Sequence, residues 1–468
     1  MENYDKNLNN TMNEPVEAGA AAPEPEINET DVSAADNEHA IHSEIAAMNT
    51  NEPTLSVEDK KAKRGFIIFM IFFAVVMVSL VIVNIFIFTG GKIKTGSKTG
   101  DSDTLFDQGL LCAKSGGKCG YIDNTGTYII NPQFDDAYQF DESGLAVVCI
   151  GGKYGFIDIS GKYVVNPQYE IAYGFGNSDL ANVKLDGKYG YIDKGGTMII
   201  DPQYDEPGSF ADNGLAAVKK DGKYGYIDTS GAYAVEPQFD NAYSFTDKGL
   251  APVKTGEKYG FIDKTGKYVI NPQFDDVLMY GSGDLIAVAT GDKYGFIDNT
   301  GKYVINPQFD YTYPFAENGL ACVLSGDKYG YIDKSGTYVI NPQFDYAYSF
   351  SEGFAWVCIG ENYGVIDEKG QYVVNPQYKA DSYFYYNSFS NGYSAFVDDK
   401  GKIGYLDTTG AVVIEPQFDQ LFALFTAADS FHDDGYAIVR IGDNYGVIDK
   451  SGSYVINPQF DGLSPYGY

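Results

Sequence analysis

Ten copies of one short sequence run down this chain: K-Y-G-[FY]-I-D-x-[ST]-G-x-Y-V-[IV]-N-P-Q-[FY]-D. The glycine after the tyrosine position falls at Gly120, Gly155, Gly190, Gly225, Gly260, Gly295, Gly330, Gly364, Gly404 and Gly446. Six steps are 35 residues long, and the last three are 34, 40 and 42. A fixed period of roughly 20 to 50 residues signals a repeat architecture, in which each unit buries its apolar face only against its neighbours. Any fold must therefore place ten near-equal units in ten near-equal environments.

The second copy shows what one unit forms. Gly144–Ile150 is a short apolar run that reads as a strand, and Lys153–Asp158 reads as a second, after a glycine turn. Asp158-Ile-Ser-Gly161 is another turn, because an Asp side chain bonds backbone two residues on and Gly takes positive φ. Lys162–Asn166 is a third strand, expected to stop at Pro167, which has no N–H for a ladder. Along the second strand, Tyr154, Phe156 and Asp158 share one face, and Gly155 and Ile157 the other. The motif glycine is expected where a neighbouring side chain comes close.

These readings predict an all-β tandem repeat over residues 105–468, built from ten three-stranded antiparallel units. Two arrangements satisfy it: an open solenoid or superhelix, and radial closure into a propeller. Propeller blades usually have four strands and ~40–45 residues. Three strands and a 35-residue step therefore favour the open solenoid, with the altered last units as its cap. Helical periodicity is absent from the repeats except at 419–428.

The motif resembles the WG repeat of bacterial proteins, written K-[WY]-G-[FY]-I-[DN]-x-x-G-x-x-[IV]-x-P-x-[FYW]-D. This chain departs from it in lacking the tryptophan. Tyrosine stands there in eight copies (Tyr154, Tyr189, Tyr224, Tyr259, Tyr294, Tyr329, Tyr363 and Tyr445), and Cys119 and Ile403 fill the other two. The single tryptophan, Trp356, lies on a first strand. The resemblance implies a repeat scaffold, often exported or membrane-attached, and brings no catalytic residues with it.

Outside the repeats the chain changes character. Residues 1–64 hold 14 acidic and 5 basic side chains, a net charge of −9, with few apolar residues. Such a segment cannot offset the entropy of ordering and is expected to be a disordered cytoplasmic tail. Residues 65–89 (GFIIFMIFFAVVMVSLVIVNIFIFT) carry no charge and are long enough for a transmembrane helix. Lys60, Lys61, Lys63 and Arg64 before it outweigh the sparser Lys92, Lys94 and Lys98 after it. That bias places the N-terminus in the cytoplasm and the repeats outside the cell membrane. Residues 90–104 read as a flexible linker. The chain beyond residue 64 has 50 acidic and 28 basic residues, hence −22, which disfavours nucleic acid as a partner.

Chemistry is hard to find in this sequence. His39 and His42 lie in the tail, and His432 lies in the longest insertion, where it is expected to be exposed. Histidine-based acid–base catalysis and metal sites are therefore not expected. No cofactor motif occurs. Each copy ends its second strand with an Asp, from Asp123 to Asp449, and many carry another after P-Q-[FY]. One carboxylate and one hydroxyl per turn suit an Asx turn better than a calcium loop. The five cysteines (Cys112, Cys119, Cys149, Cys322 and Cys358) make no disulfide framework, although Cys112 and Cys119 could pair across a hairpin. The insertion 379–391 breaks the period, and its Tyr383, Tyr385 and Tyr386 are candidate ligand contacts. The expected role is a non-enzymatic binding or scaffold module for cell-wall glycan or a partner protein. A structural stalk and, less favoured, a glycan-acting enzyme are the alternatives.

Overall fold

The computed structural model describes residues 103–175, 178–278, 284–379, 388–421 and 430–466. Every regular element in them is a strand. In the second repeat, Leu145–Ile150, Lys153–Asp158 and Tyr163–Tyr169 form the expected antiparallel meander. A further strand, Asp136–Ala137, pairs with the first of them. It comes from the D-D-A-Y segment that ends the preceding repeat. The unit is thus a four-stranded blade, one strand of which is borrowed from the previous copy. The three-stranded meander recurs in ten sheets among the described residues, seven of them with the fourth strand, while a single bridge (Glu206 with Lys219, Asp419 with Arg440) stands in its place in two others. We number the blades from the one built on Leu111–Ser115.

The borrowed strand decides the architecture. No borrowed strand reaches blade 1 from the residues just before it, and the tenth repeat is followed by a strand, Gly462–Ser464. That strand pairs with blade 1, Ala113 opposite Leu463, so the C-terminus completes blade 1. The array is a closed ten-bladed β-propeller, which overturns the expected open solenoid. Closure spares a stack the exposed end faces that would otherwise need caps.

The inter-blade contacts repeat across the seam. The turn glycine of each blade takes positive φ and faces an Ile or Val of the blade before it. A Cβ on Gly161 would lie 3.2 Å from Ile130, and one on Gly301 would lie 2.9 Å from Ile270. At the seam, one on Gly126 would lie 3.1 Å from Ile456. Edge-to-face ring pairs do the same. Phe274 and Tyr303 stand 6.2 Å apart at 87°, and across the seam Phe460 and Tyr128 stand 5.7 Å apart at 89°. Such pairs contribute roughly 0.5–1.5 kcal/mol beyond their buried area. The lone tryptophan ties blade 8 to blade 9: buried Trp356 donates Nε1–H to Ser394 Oγ at 2.9 Å.

Three local expectations are corrected. The third strand does not stop at proline. Tyr163–Tyr169 runs through Pro167 because it is a sheet edge and bulges there: Tyr154 faces Tyr169 and Phe156 faces Val165, so Asn166, Pro167 and Gln168 all lie opposite Gly155. Edges and bulges are where a strand tolerates proline. The motif glycine makes room for that bulge and not for a neighbouring side chain, since a Cβ on Gly155 would lie 2.5 Å from the Val165 carbonyl oxygen. His432 is buried, 4% exposed, because its turn packs on the start of the ring at the seam. Asp433 N–H donates to Asp103 O at 2.7 Å, and His432 Nδ1 lies 3.3 Å from Asp103 Oδ1.

The described residues contain no helix long and apolar enough to cross a membrane. The expected tail 1–64, transmembrane helix 65–89 and most of linker 90–104 lie outside them, as does most of 419–428.

Gly295 tests the bulge. Its added Cβ would stand 2.5 Å from Ile305 O and 2.7 Å from Pro307 N, both backbone atoms. Gly295→Ala should lower stability by about 2–3 kcal/mol, measured by urea unfolding. A change within experimental error would contradict the close approach.

Candidate functional site

The two Asp arrays prove to be joinery. Asp298 Oδ1 accepts from Thr300 N at 2.9 Å, Thr300 Oγ1 at 2.6 Å and Lys302 N at 3.1 Å, an Asx turn. The same turn closes at Asp123, Asp158, Asp193, Asp228, Asp263, Asp333, Asp367, Asp407 and Asp449. The second array pins blade to blade. Asp275 pairs with Lys258 of blade 5 and accepts from Gly291 N of blade 6 at 2.9 Å. Across the seam Asp461 accepts from Gly116 N at 2.6 Å.

With these positions engaged in the frame, one row of cross-strand neighbours differs in chemistry from blade to blade. In blade 4 the row reads Glu206, Lys219, Tyr224, and in blade 5 Asn241, Lys254, Tyr259. In blade 6 it reads Asp276, Ala289, Tyr294, and in blade 7 Tyr311, Leu324, Tyr329. The third member is the tyrosine of the motif, and the first two vary.

The family profile described as WG containing repeat matches ten consecutive segments, from 120–154 to 445–468, which together span most of the chain. The chain belongs to the WG containing repeat family. No curated protein matches it. Among solved structures, a crystal structure of "the eukaryotic initiation factor" is 11% identical, with a TM-score of 0.47, over 76% of this chain and 97% of that one. The computationally designed Ika8 protein is 12% identical at 0.32, covering 59% and 92%. BamB from Moraxella catarrhalis is 14% identical at 0.32, covering 65% and 92%. All three scores are below 0.5, so these likenesses say nothing about the function of this chain.

In this WG repeat ring the middle member of the row sets apart two arcs of three blades each. It is Lys184, Lys219 and Lys254 in blades 3 to 5, and each lysine Nζ lies over the motif tyrosine of its own blade, 5.2–5.3 Å from the ring centroid. That is cation–π geometry. It is Ala289, Leu324 and Cys358 in blades 6 to 8, where tyrosine rings pack against one another with no lysine from this position, whereas in blades 3 and 5 Tyr173–Tyr189 and Tyr243–Tyr259 pair beside the lysine. Tyr294 and Tyr311 stand 5.6 Å apart, Tyr311 and Tyr313 5.3 Å, Tyr329 and Tyr346 5.2 Å, and Tyr346 and Tyr348 5.0 Å. The Tyr313 and Tyr346 hydroxyls lie 3.1 Å apart. Burial pushes the Tyr294, Tyr313, Tyr329 and Tyr363 phenols well up, so the arc offers hydroxyls and half-buried ring faces at neutral pH.

The sequence-based candidates fare differently. Tyr383, Tyr385 and Tyr386 lie outside the described residues. The five cysteines are buried and none is in a disulfide. Cys112 faces Tyr121 and Cys119 faces Lys114, so the two thiols are diagonal across the hairpin and not opposite. The row itself was missed. Its signal was present as the one changing letter in F-D-D-A-Y, F-D-N-A-Y and F-D-Y-A-Y.

One carboxylate from each array, Asp298 and Asp275, shows the same pH dependence. The Thr300 hydroxyl holds the Asp298 carboxyl below the usual range, and Lys258 does the same for Asp275. Folded values therefore lie under the unfolded value of about 3.9. The stabilisation is complete above that pH and is lost as pH falls through the folded values. The thermal midpoint should be flat from about pH 5 to 8 and fall below about 4. A midpoint that holds or rises on acidification to pH ~3 would contradict this assignment.

Proposed function

We propose that this WG repeat protein is a non-enzymatic binding or scaffold module, held at the cell membrane and contacting cell-wall glycan or a partner protein outside the cell. The observation that carries the reading is the contrast between a repeated frame and a row whose chemistry varies from blade to blade. The frame consumes the Asp array in turns and blade pinning, so the carboxylates that repeat ten times serve the fold. The row supplies what recognition needs: half-buried aromatic faces, hydroxyls, amides and charges in an order that differs from blade to blade. Aromatic faces with polar neighbours suit sugar rings, and tyrosine-rich patches suit protein partners. The charge-free run 65–89, with its denser cationic flank on the N-terminal side, supports attachment at the membrane with the repeats outside.

Co-sedimentation of the detergent-solubilised full chain with isolated cell-wall glycan tests this. Saturable binding is expected, weakened at least ~10-fold by Tyr329→Ala with Tyr346→Ala if the tyrosine arc is the contact. If the period-breaking insertion is the contact, Tyr383, Tyr385 and Tyr386 changed together to Ala give the loss instead. Absence of glycan binding, with no partner crosslinked to the repeats on cells, would leave a stalk. Protease that fails to cut the repeats on intact cells would overturn the extracellular placement.

A further inference from the structure

Blades 4 and 6 carry the same constellation with one charge removed. In blade 4, Lys219 Nζ lies 2.6 Å from Glu206 Oε1 and 5.3 Å from the centre of the Tyr224 ring. The Tyr224 hydroxyl donates to Glu206. The lysine ammonium is thus held by a carboxylate and an aromatic face that are themselves hydrogen-bonded.

Blade 6 keeps the carboxylate and the ring. The Tyr294 hydroxyl donates to Asp276 Oδ2 at 2.7 Å. Where blade 4 has the lysine, blade 6 has Ala289, paired with Asp276 on one side and Tyr294 on the other. No described ion pair includes Asp276. The lysine of the preceding blade, Lys254, lies over its own Tyr259. Two more rings adjoin this pair: Tyr311 is edge-on to Tyr294 at 5.6 Å and 70°, and Tyr313 is 5.3 Å from Tyr311. Asp276 and Tyr294 are both half-buried. Blade 2 also lacks the lysine, with Cys149 in its place, but there Lys114 of blade 1 acts on Asp136.

We propose that Asp276, Tyr294 and Tyr311 form a site for an alkylammonium group supplied from outside the chain. The ligand takes the place that Lys219 fills in blade 4, its charge against the carboxylate and its methylenes against the rings. A carboxylate with several aromatic faces is the chemistry that recognises organic cations. Loss of the lysine stem at Ala289 leaves the place to the ligand. The group is a primary amine, carried by a free diamine or by a peptide lysine. The inference rests on the reading of the row as a recognition surface, but not on glycan as its ligand. Amine binding that holds while glycan co-sedimentation fails would separate the two.

Calorimetric titration of the full chain in detergent, with putrescine and with an acetylated, amidated lysine as the two probes and 1-butanol as the uncharged control, tests the site. One amine per chain should bind, and the tighter of the two probes identifies the source. Asp276→Asn should weaken it at least ~10-fold. Ala289→Lys should abolish it, because the new lysine fills the site from within. Blades 3 to 5 already carry lysine at this position, so the frame accepts it, and an unchanged thermal midpoint confirms folding. Lys219→Ala should create a second site and raise the stoichiometry to two. Butanol binding as well as the amines, amine binding unaffected by Asp276→Asn and Ala289→Lys, or no amine binding at all would each overturn the proposal.

Discussion

The contact on which this ring depends is small: an Ile or Val on the third strand of one blade against the positive-φ turn glycine of the next. Ile130 meets Gly161, Ile270 meets Gly301, and Ile456 meets Gly126 across the seam. Only glycine combines that backbone conformation with the absence of a Cβ, so it lets two sheets approach to van der Waals distance. Removing one such aliphatic side chain costs about 2–5 kcal/mol in a core that cannot collapse. Ten equivalent contacts fix ten equal inter-blade rotations, and equal rotations either close or spiral. Here they close, because the last three-residue strand finds the first sheet.

Closure explains why the borrowed strand matters more than its length suggests. A two-residue ladder such as Asp136–Ala137 contributes little alone. Repeated in seven of the ten described sheets, it makes those blades incomplete without a neighbouring segment, and blade 1 incomplete without Gly462–Ser464. The second-array carboxylates reinforce the same dependence, since Asp275 and Asp461 each accept from a glycine N–H of the following blade. Stability in this protein therefore belongs to junctions more than to blades, as in other repeat folds.

Much of a blade was legible in the sequence. The three long strands, the Asp-Gly turns and the use of both faces of the second strand follow from alternation and turn chemistry acting within a few residues. Phe156 serves the junction with blade 3, and its neighbour Ile157 serves the junction with blade 1. The fourth strand left no periodic trace because two residues cannot show a period. Closure left a different trace: a first unit with no P-Q-F-D before it and a last unit with D-G-L-S after it, two halves of one blade at opposite ends of the chain. His432 was misjudged because its burial depends on Asp103, 329 residues away. The varying row was hidden by the repetition itself, since recognition of the motif draws attention to the letters that do not change. Those letters build the frame. The changed ones, Lys to Ala at 289 or Asp to Tyr at 311, are where the blades differ in chemistry.

Deuterium uptake by the peptide spanning residues 460–466 of the full chain tests closure most directly. In a closed ring the amides of Gly462–Ser464 should be as protected as those of the equivalent borrowed strand at Asp136–Ala137. Leu463→Asp, which puts a charge into a position only 5% exposed, should abolish that protection and with it the protection of Leu111–Ser115. Exchange of 462–464 at the rate of free chain in the unmodified protein, with 136–137 protected, would show an open array and contradict the account.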